Sequence, residues 1–150
     1  MIVNIHDLIT KNNNDSFVVF LKEQLISIHN QLEPTPMIDN NSFLDYIRMN
    51  KVFIYVDTKF NIKGCATLFY EKKLSNNGKY ILHINDIIVD KKFRNLDIGK
   101  EIIERCKEET RDKNVLKSII RCPVELRAFF TKFEFNSNSL IEMEYYSISQ

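Results

Sequence analysis

Apolar positions along this chain switch between two periods. Ile2 to Ile5 predicts a short first strand. From Asp15 to Gln31 the apolar residues Phe17, Val18, Leu21, Leu25 and Ile28, followed by Leu32, fall at helical spacing, with Asp15 as the expected N-cap. Glu33-Pro34-Thr35-Pro36 stops that helix. A shorter helix is predicted over Asn41 to Met49, with Phe43, Leu44 and Ile47 on one face. The middle of the chain then turns to strands. Val52 to Val56 and Cys65 to Tyr70 are separated by the turn-sized segment Asp57 to Gly64. Ser75-Asn76-Asn77-Gly78 marks another turn. Ile81 to Val89 is nearly continuous apolar sequence, as a central strand should be. After the loop Arg94 to Gly99, the residues Ile98, Ile102, Ile103 and Cys106 define one face of a helix ending near Asn114. Val115 to Arg121 predicts a strand, Val124 to Lys132 a short helix, and Leu140 to Ser147 a last strand.

The order β-α-α-β-β-β-α-β-α-β places the chain in the mixed α/β (α+β) class. The sheet is expected to be twisted and mostly antiparallel, of about six to seven strands, flanked by helices. The chain has 150 residues, of which 44% are hydrophobic. That suits one domain over residues 1–150, with one core and no repeats or linkers.

Charge narrows the functions available. Twenty-one basic residues oppose 20 acidic ones, for a net charge of +1. No general electrostatic case for nucleic acid follows, although a local basic pocket for a phosphorylated ligand is compatible with it. Asn4, His6 and Asp7 interrupt any leader-like apolar core, and no apolar run approaches the roughly 18 residues of a membrane helix. Cys65, Cys106 and Cys122 show no metal-ligand spacing. They suit a reducing, cytoplasmic setting, with buried thiols acting as small apolar groups. No metal, membrane or nucleic acid is expected.

The segment that carries chemistry is Asp86-Ile87-Ile88-Val89-Asp90 followed by Arg94-Asn95-Leu96-Asp97-Ile98-Gly99-Lys100. A strand, a tight loop and a helix start occur in that order. A helix start has unpaired N–H groups and partial positive charge, which suits a pyrophosphate. Arg94 and Lys100 add charge. Asp97 is expected to turn back and cap the helix, because a carboxylate facing a pyrophosphate would repel it. Asp86 lies in an otherwise apolar strand and needs a partner, which favours a site role.

This stretch resembles the acetyl-CoA loop of the GNAT superfamily, Gln/Arg-x-x-Gly-x-Gly/Ala, with Arg94 and Gly99 at the outer positions and Asp97 where the inner Gly is usual. Leu82-His83-Ile84-Asn85-Asp86-Ile87-Ile88-Val89 is further similar to the glucosamine 6-phosphate N-acetyltransferase family. So are Arg121-Cys122-Pro123 and Phe129-Phe130-Thr131-Lys132-Phe133-Glu134-Phe135. Gln31-Leu32, Phe43 and Glu71-Lys72-Lys73 fall at compatible spacings.

The resemblance implies acetyl-CoA as co-substrate and direct acetyl transfer to the amine of an amino sugar phosphate. Central strands are expected to splay at the acetyl-CoA site. Asp86 and Asn85 are implied beside the amine. Ile87, Ile88 and Val89 would meet the pantetheine arm and the acetyl carbonyl, and the residues Arg94, Asn95, Leu96, Asp97, Ile98, Gly99 and Lys100 the pyrophosphate. Phe129 and Phe130 would flank the thioester. Glu33, Lys73, Asn76, Arg121 and Cys122 fall at sugar- or phosphate-contacting positions, some of them across a homodimer interface built partly by Leu140 to Ser147.

The sequence departs from the family at several of these places. Phe130 stands for a Tyr that assists the leaving thiolate, Leu126 for an Asn that holds the cofactor, and Asn85 for a Glu. Arg121 replaces an acidic residue, Tyr146 a basic one, and Glu134 a Gly that ends the last helix. Tyr145, Tyr146 or a water is left to supply the proton. A GNAT enzyme for another amine, and an acetyl-CoA-binding module without catalysis, are the alternatives these departures raise. Ordinary roles also stand beside the functional ones. His83 suits packing, Cys122 a buried small residue, Lys72 and Lys73 a solvated sheet edge, and Arg121 a salt bridge.

Overall fold

A computed structural model describes residues 1–147. The elements run β1 (Ile2–Asn4), α1 (Ile5–Asn12), α2 (Asp15–His29), α3 (Asn40–Met49), β2 (Lys51–Val56), β3 (Ile62–Lys72), a one-turn α4 (Ser75–Gly78), β4 (Tyr80–Val89), α5 (Ile98–Thr110), β5 (Val115–Ile120) and α6 (Arg127–Thr131). Short 3-10 turns precede α5 at Lys91–Phe93 and α6 at Val124–Leu126.

The five strands form one sheet in the order β1-β2-β3-β4-β5. The first three pairings are antiparallel and β4–β5 is parallel. The α/β class and the mixed, mostly antiparallel sheet agree with expectation, while the described residues form five strands where six to seven were expected. The difference lies at the C-terminus. Residues 140–147 take no regular secondary structure and are exposed, so the strand expected over Leu140 to Ser147 is not formed among the described residues. No described helix is long and apolar enough to cross a membrane.

The sheet is covered on both faces. One face packs on α1, α2 and α3 through Ile5, Leu21, Leu25, Phe43 and Ile47 against Val52, Ile54, Cys65 and Ile88. The other packs on α5 through Ile98, Ile102 and Cys106 against Phe53, Ala66, Leu68, Leu82 and Ile84. Helix α1 was not anticipated beyond Ile5. Asn4 caps it by accepting from the His6 N–H at 3.1 Å, and its apolar anchors are Ile5 and Ile9, one turn apart. The cap of α2 is Asn14 rather than Asp15: Asn14 Oδ1 accepts from the N–H groups of Ser16 at 2.9 Å and Phe17 at 3.4 Å. Asp15 is already helical.

Lys22 is 8% exposed, yet it has two oxygen partners, the Ile38 carbonyl and Asn40 Oδ1, each at 2.8 Å. It thereby pins the loop after α2 to the start of α3. That loop is also joined to the end of β4, where Gln31 Oε1 accepts from the Lys91 N–H at 2.9 Å.

Candidate active site

Two irregularities of β4 make the site. Along β3–β4, Thr67 pairs with Asn85 but Cys65 pairs with Ile88. One residue, Ala66, therefore faces two, Asp86 and Ile87, which is a β-bulge. Asp86 has φ 51, a left-handed backbone, and Asp is among the few non-glycine residues that tolerate it. The extra residue reverses the parity of the strand. Leu82 and Ile84 face α5 before the bulge, and Ile87 and Val89 face it afterwards.

The second irregularity is on the other side. Parallel pairing with β5 runs from Tyr80↔Val115 to Ile84↔Ile120 and stops. Among the described residues no strand pairs with the edge of β4 toward β5 from Asn85 to Val89, so the two strands part where the bulge lies. A free strand edge can hydrogen-bond an extended, amide-bearing chain as another strand would.

Helix α5 starts just beyond this gap. Asp97 precedes it with φ 59 and makes no side-chain capping bond, which corrects the expected capping orientation. An N-cap carboxylate reaches the second or third helical N–H from an extended backbone, and a left-handed residue does not present it that way. Asn95 is also left-handed, with φ 64. The position where the GNAT pattern has its inner Gly thus adopts a glycine-like conformation with Asp in place. The helix start is left without a side-chain cap and offers N–H groups to an anion. Gly99 has room, since a Cβ there would make only ordinary contact with Val89 at 3.5 Å. Arg94 is exposed and folds back, its Nε donating to the Val89 carbonyl at 3.3 Å. Lys100, Asn95 and Leu96 are exposed and Ile98 is buried beneath the loop. Past β5, Phe130 is 7% exposed and stacks edge-on with Phe129 and Phe135, while Phe129 faces solvent in part. The splayed edge, the open helix start and the aromatic wall fit a coenzyme A thioester lying between β4 and β5.

On the α2–α3 face the bulge meets a polar cluster. The Cys65 thiol lies 3.7 Å from the Asp86 carbonyl oxygen and 4.0 Å from His29 Nε2. Burial pushes that thiol up to about 12, with the Asp86 charge adding to it. The Tyr46 hydroxyl is 2.7 Å from Thr67 Oγ1. The Asp86 carboxylate, half-buried, has no hydrogen bond or ion pair among the described residues. His29, Tyr46 and Thr67 were not singled out from sequence. None of them belongs to a contiguous motif, and only the fold brings them to one face.

The expected sugar-binding residues do not all converge on the bulge. Glu33 is exposed on the loop held beside the end of β4. Lys73 donates to Glu71 Oε1 at 2.8 Å, and His83 Nε2 meets the other carboxylate oxygen at 2.8 Å. Those two partners hold the Glu71 carboxyl below its ordinary range. Five register steps separate Thr67↔Asn85 from Lys72↔Tyr80, or roughly 17 Å along the strand. Lys73 and Asn76 are therefore beyond the reach of a single hexosamine phosphate held at Asp86 of the same chain. Arg121 forms a surface ion pair with Glu142 at 2.8 Å. Cys122 is exposed, not the buried small residue that was the ordinary expectation. Glu134 has φ 70, so it takes the left-handed conformation of the Gly it replaces, and its carboxylate accepts from Lys107 at 2.8 Å.

A mixed sheet with a bulged, splayed central strand and an uncapped helix start beyond it is the architecture of an acyl-CoA-using acetyltransferase. Residues 20–144 match the acetyltransferase (GNAT) domain family, and the chain belongs to it. GNAT acetyltransferases use acetyl-CoA as acyl donor.

Particular relatives narrow the comparison. The chain is 31% identical over 128 residues to glucosamine 6-phosphate N-acetyltransferase 1 of Dictyostelium discoideum, covering 85% of this chain and 74% of that one. It is 28% identical over 90 residues to the glucosamine 6-phosphate N-acetyltransferase of Arabidopsis thaliana, spanning 60% of each. A crystal structure of glucosamine-6-phosphate N-acetyltransferase from Arabidopsis thaliana superposes with a TM-score of 0.76 at 22% identity, covering 86% of this chain and 94% of that one. An aminoglycoside acetyltransferase from a soil metagenome, in complex with sisomicin, has the same fold, with a TM-score of 0.72 at 16% identity over 91% of each chain.

Proposed function

We propose that the chain transfers the acetyl group of acetyl-CoA to the amine of glucosamine 6-phosphate, giving N-acetylglucosamine 6-phosphate for UDP-N-acetylglucosamine synthesis. The observation that carries this reading is the Asp86 carboxylate, which has no hydrogen bond or ion pair among the described residues and is held by a bulge beside a stretch of β4 edge that no described strand occupies. The names of the Dictyostelium and Arabidopsis relatives support the choice of acceptor.

When bound, acetyl-CoA supplies the acyl group as a thioester. The residues of the chain then have separable tasks. Backbone groups of Ile87, Ile88 and Val89 hold the pantetheine arm, and an N–H among them stabilises the negative charge that develops on the acetyl oxygen. Arg94 and the backbone from Asn95 to Lys100 receive the pyrophosphate. Asp86 attracts the acceptor ammonium and Asn85 lies beside it. The amine attacks once its proton has passed to water, and most of the acceleration comes from holding it against the thioester. Phe130 offers no proton to the leaving sulfur. A positioned acid contributes roughly 10²- to 10⁴-fold, but a thiol titrating near 8.5 leaves tolerably without one. Tyr145 and Tyr146 are exposed, and the Tyr146 hydroxyl donates to Glu144.

The same proposal includes a homodimer. Lys73 and Asn76 serve the phosphate of an acceptor held by a second copy, because their own Asp86 is too distant. Ile141, Met143 and Tyr145 alternate with Glu142 and Glu144, all exposed, while β5 is an edge strand. In the dimer this segment pairs with the other copy. Twice the chain mass by light scattering at micromolar concentration is expected. A monomeric mass there would overturn the dimer.

Thiol release from acetyl-CoA with glucosamine 6-phosphate, and with glucosamine as control, tests the activity. Turnover that needs the phosphate, with Lys73→Ala raising KM, is expected. Coenzyme A binding without turnover of this sugar, but with turnover of another amine, would shift the reading to a different acceptor. The Lys73–Glu71 and Arg121–Glu142 ion pairs favour that alternative, since they engage the cation expected at the phosphate and the one expected at the sugar.

A further inference from the structure

The end of α2 reaches the sheet at two places, and they bracket one short stretch of β4. Beyond His29 the chain continues as a hydrogen-bonded turn. The N–H groups of Leu32 and Glu33 both donate to the His29 carbonyl, at 2.9 and 3.0 Å. Thr35 closes the turn: its N–H donates to Asn30 Oδ1 at 2.7 Å and its hydroxyl to the Glu33 carbonyl at 3.0 Å. Glu33 therefore sits on a built loop that α2 carries.

Two side chains of this turn lead to β4. His29 Nε2 lies 4.0 Å from the Cys65 thiol, which donates to the Asp86 carbonyl at 3.7 Å. Gln31 Oε1 accepts from the Lys91 N–H at 2.9 Å. Between Asp86 and Lys91 lie Ile87, Ile88 and Val89. Toward β5 no described strand pairs with them. Toward β3 the ladder ends at Gly64↔Val89, with one more bond from the Asp90 N–H to the Lys63 carbonyl at 2.9 Å. The Lys91 N–H is the next donor along the chain, and it is exposed enough for water to satisfy it. What a glutamine supplies there and water does not is a fixed distance to the Glu33 turn.

We propose that Gln31 is a positioning residue for acetyl transfer, tying the turn that carries Glu33 to the end of the β4 segment that receives the thioester. The inference rests on the reading of Ile87 to Val89 as the acetyl-CoA segment and of Glu33 as an acceptor contact. One of these belongs to the donor side and the other to the acceptor side. The Gln31 bond thus sets one distance between the two reactants, and a reaction that depends on holding them together is sensitive to that distance.

Gln31→Leu removes the accepting oxygen at similar volume, and Gln31→Glu keeps an oxygen at the same reach. With both substrates saturating, Gln31→Leu should lower kcat about fivefold, the weight of one neutral hydrogen bond. The KM for acetyl-CoA should stay unchanged, and Gln31→Glu should restore most of kcat. Parent kcat in Gln31→Leu, a KM for acetyl-CoA that rises as far as kcat falls, or a glutamate variant as slow as the leucine one would overturn the proposal. A parent protein that acetylates no amine would instead remove the function reading. Backbone amide resonances then decide. Coenzyme A should move the amides of Lys91 and Glu33 in the parent, and that of Lys91 without Glu33 in Gln31→Leu. A Glu33 amide that moves equally in both proteins, or in neither, overturns the tie.

Discussion

Gly64 on β3 lies directly beneath Ile102 of α5: a Cβ on Gly64 would stand 2.9 Å from the Ile102 Cδ1 methyl. The same atom would meet the Ile88 carbonyl oxygen at 3.0 Å and Ile98 Cγ2 at 3.2 Å. The absent side chain is what lets the helix that starts at the proposed pyrophosphate loop lie close on the bulged strand. Gly64→Ala should therefore destabilise the fold by about 1–3 kcal/mol, the usual cost of overpacking. It should also weaken coenzyme A binding, because the helix start moves relative to Val89. A denaturant midpoint within error of the parent would contradict this account of the packing.

Asp97 sets a second expectation. Its left-handed backbone is one that Gly adopts freely, and its carboxylate stands at an uncapped helix start. In Asp97→Gly the relieved backbone cost is offset by loss of an acidic group from the positive end of the helix. Stability should stay within about 0.5 kcal/mol of the parent. Coenzyme A should bind about fivefold tighter, since removing one charge repulsion near a surface is worth about 1 kcal/mol. Calorimetric titration of coenzyme A into both proteins checks it, and unchanged affinity would show that the carboxylate points away from the ligand.

Acid stability should carry the signature of Glu109. Its carboxylate accepts from Lys51 and from the Tyr70 hydroxyl at 2.7 Å each, and pairs with Arg105 at 2.8 Å. Burial raises its pKa, but the Lys51, Tyr70 and Arg105 interactions outweigh it and hold the carboxyl below its ordinary 4.5. A group lowered on folding contributes stability that is present above its unfolded value and lost as pH falls through the folded one. The protein should lose stability progressively below about pH 4.5. Glu109→Gln should flatten that slope and cost about 1–3 kcal/mol at neutral pH. Thermal midpoints from pH 3 to 7 for the two proteins decide it.

Thiol labelling offers a simpler check on the packing. Cys122 is exposed, whereas Cys65 and Cys106 are buried, and burial pushes both of their thiols up to about 12. Only a thiolate attacks an alkylating reagent. One mole of label per chain is expected in the native state, located at Cys122 by mass spectrometry. Three are expected after unfolding. Fast native labelling at Cys65 would mean that the face beneath the bulge opens.

Much of the architecture was legible because it is periodic. A helix face reports itself at three- and four-residue spacing, and Phe43 with Ile47, and Ile98 with Ile102 and Cys106, are buried where that spacing put them. The helix start beyond β4 also agrees with what the family resemblance implied, whereas the strands that part are β4 and the edge strand β5 rather than two central ones. Other features leave too little local trace. The alternation Leu82-His83-Ile84-Asn85 breaks at Asp86, but a broken alternation does not say which residue the partner strand leaves unpaired. The wrong orientation expected for Asp97 came from composition, which names a good capping residue but not the backbone angle it must hold.

The chain alone determined the class of fold and the helices that flank its sheet, because each follows from spacing. Only the tertiary structure decided which groups meet at the bulge. It brought Tyr46 from α3 against Thr67 of β3, opposite Asn85, and left Lys73 more than five register steps further along β3. It also left residues 140–146 outside any strand of the described residues. The physical reason is common to all three. Periodicity is a property of a segment, whereas a hydrogen bond, a register and a strand pairing each need a second segment whose position only packing sets.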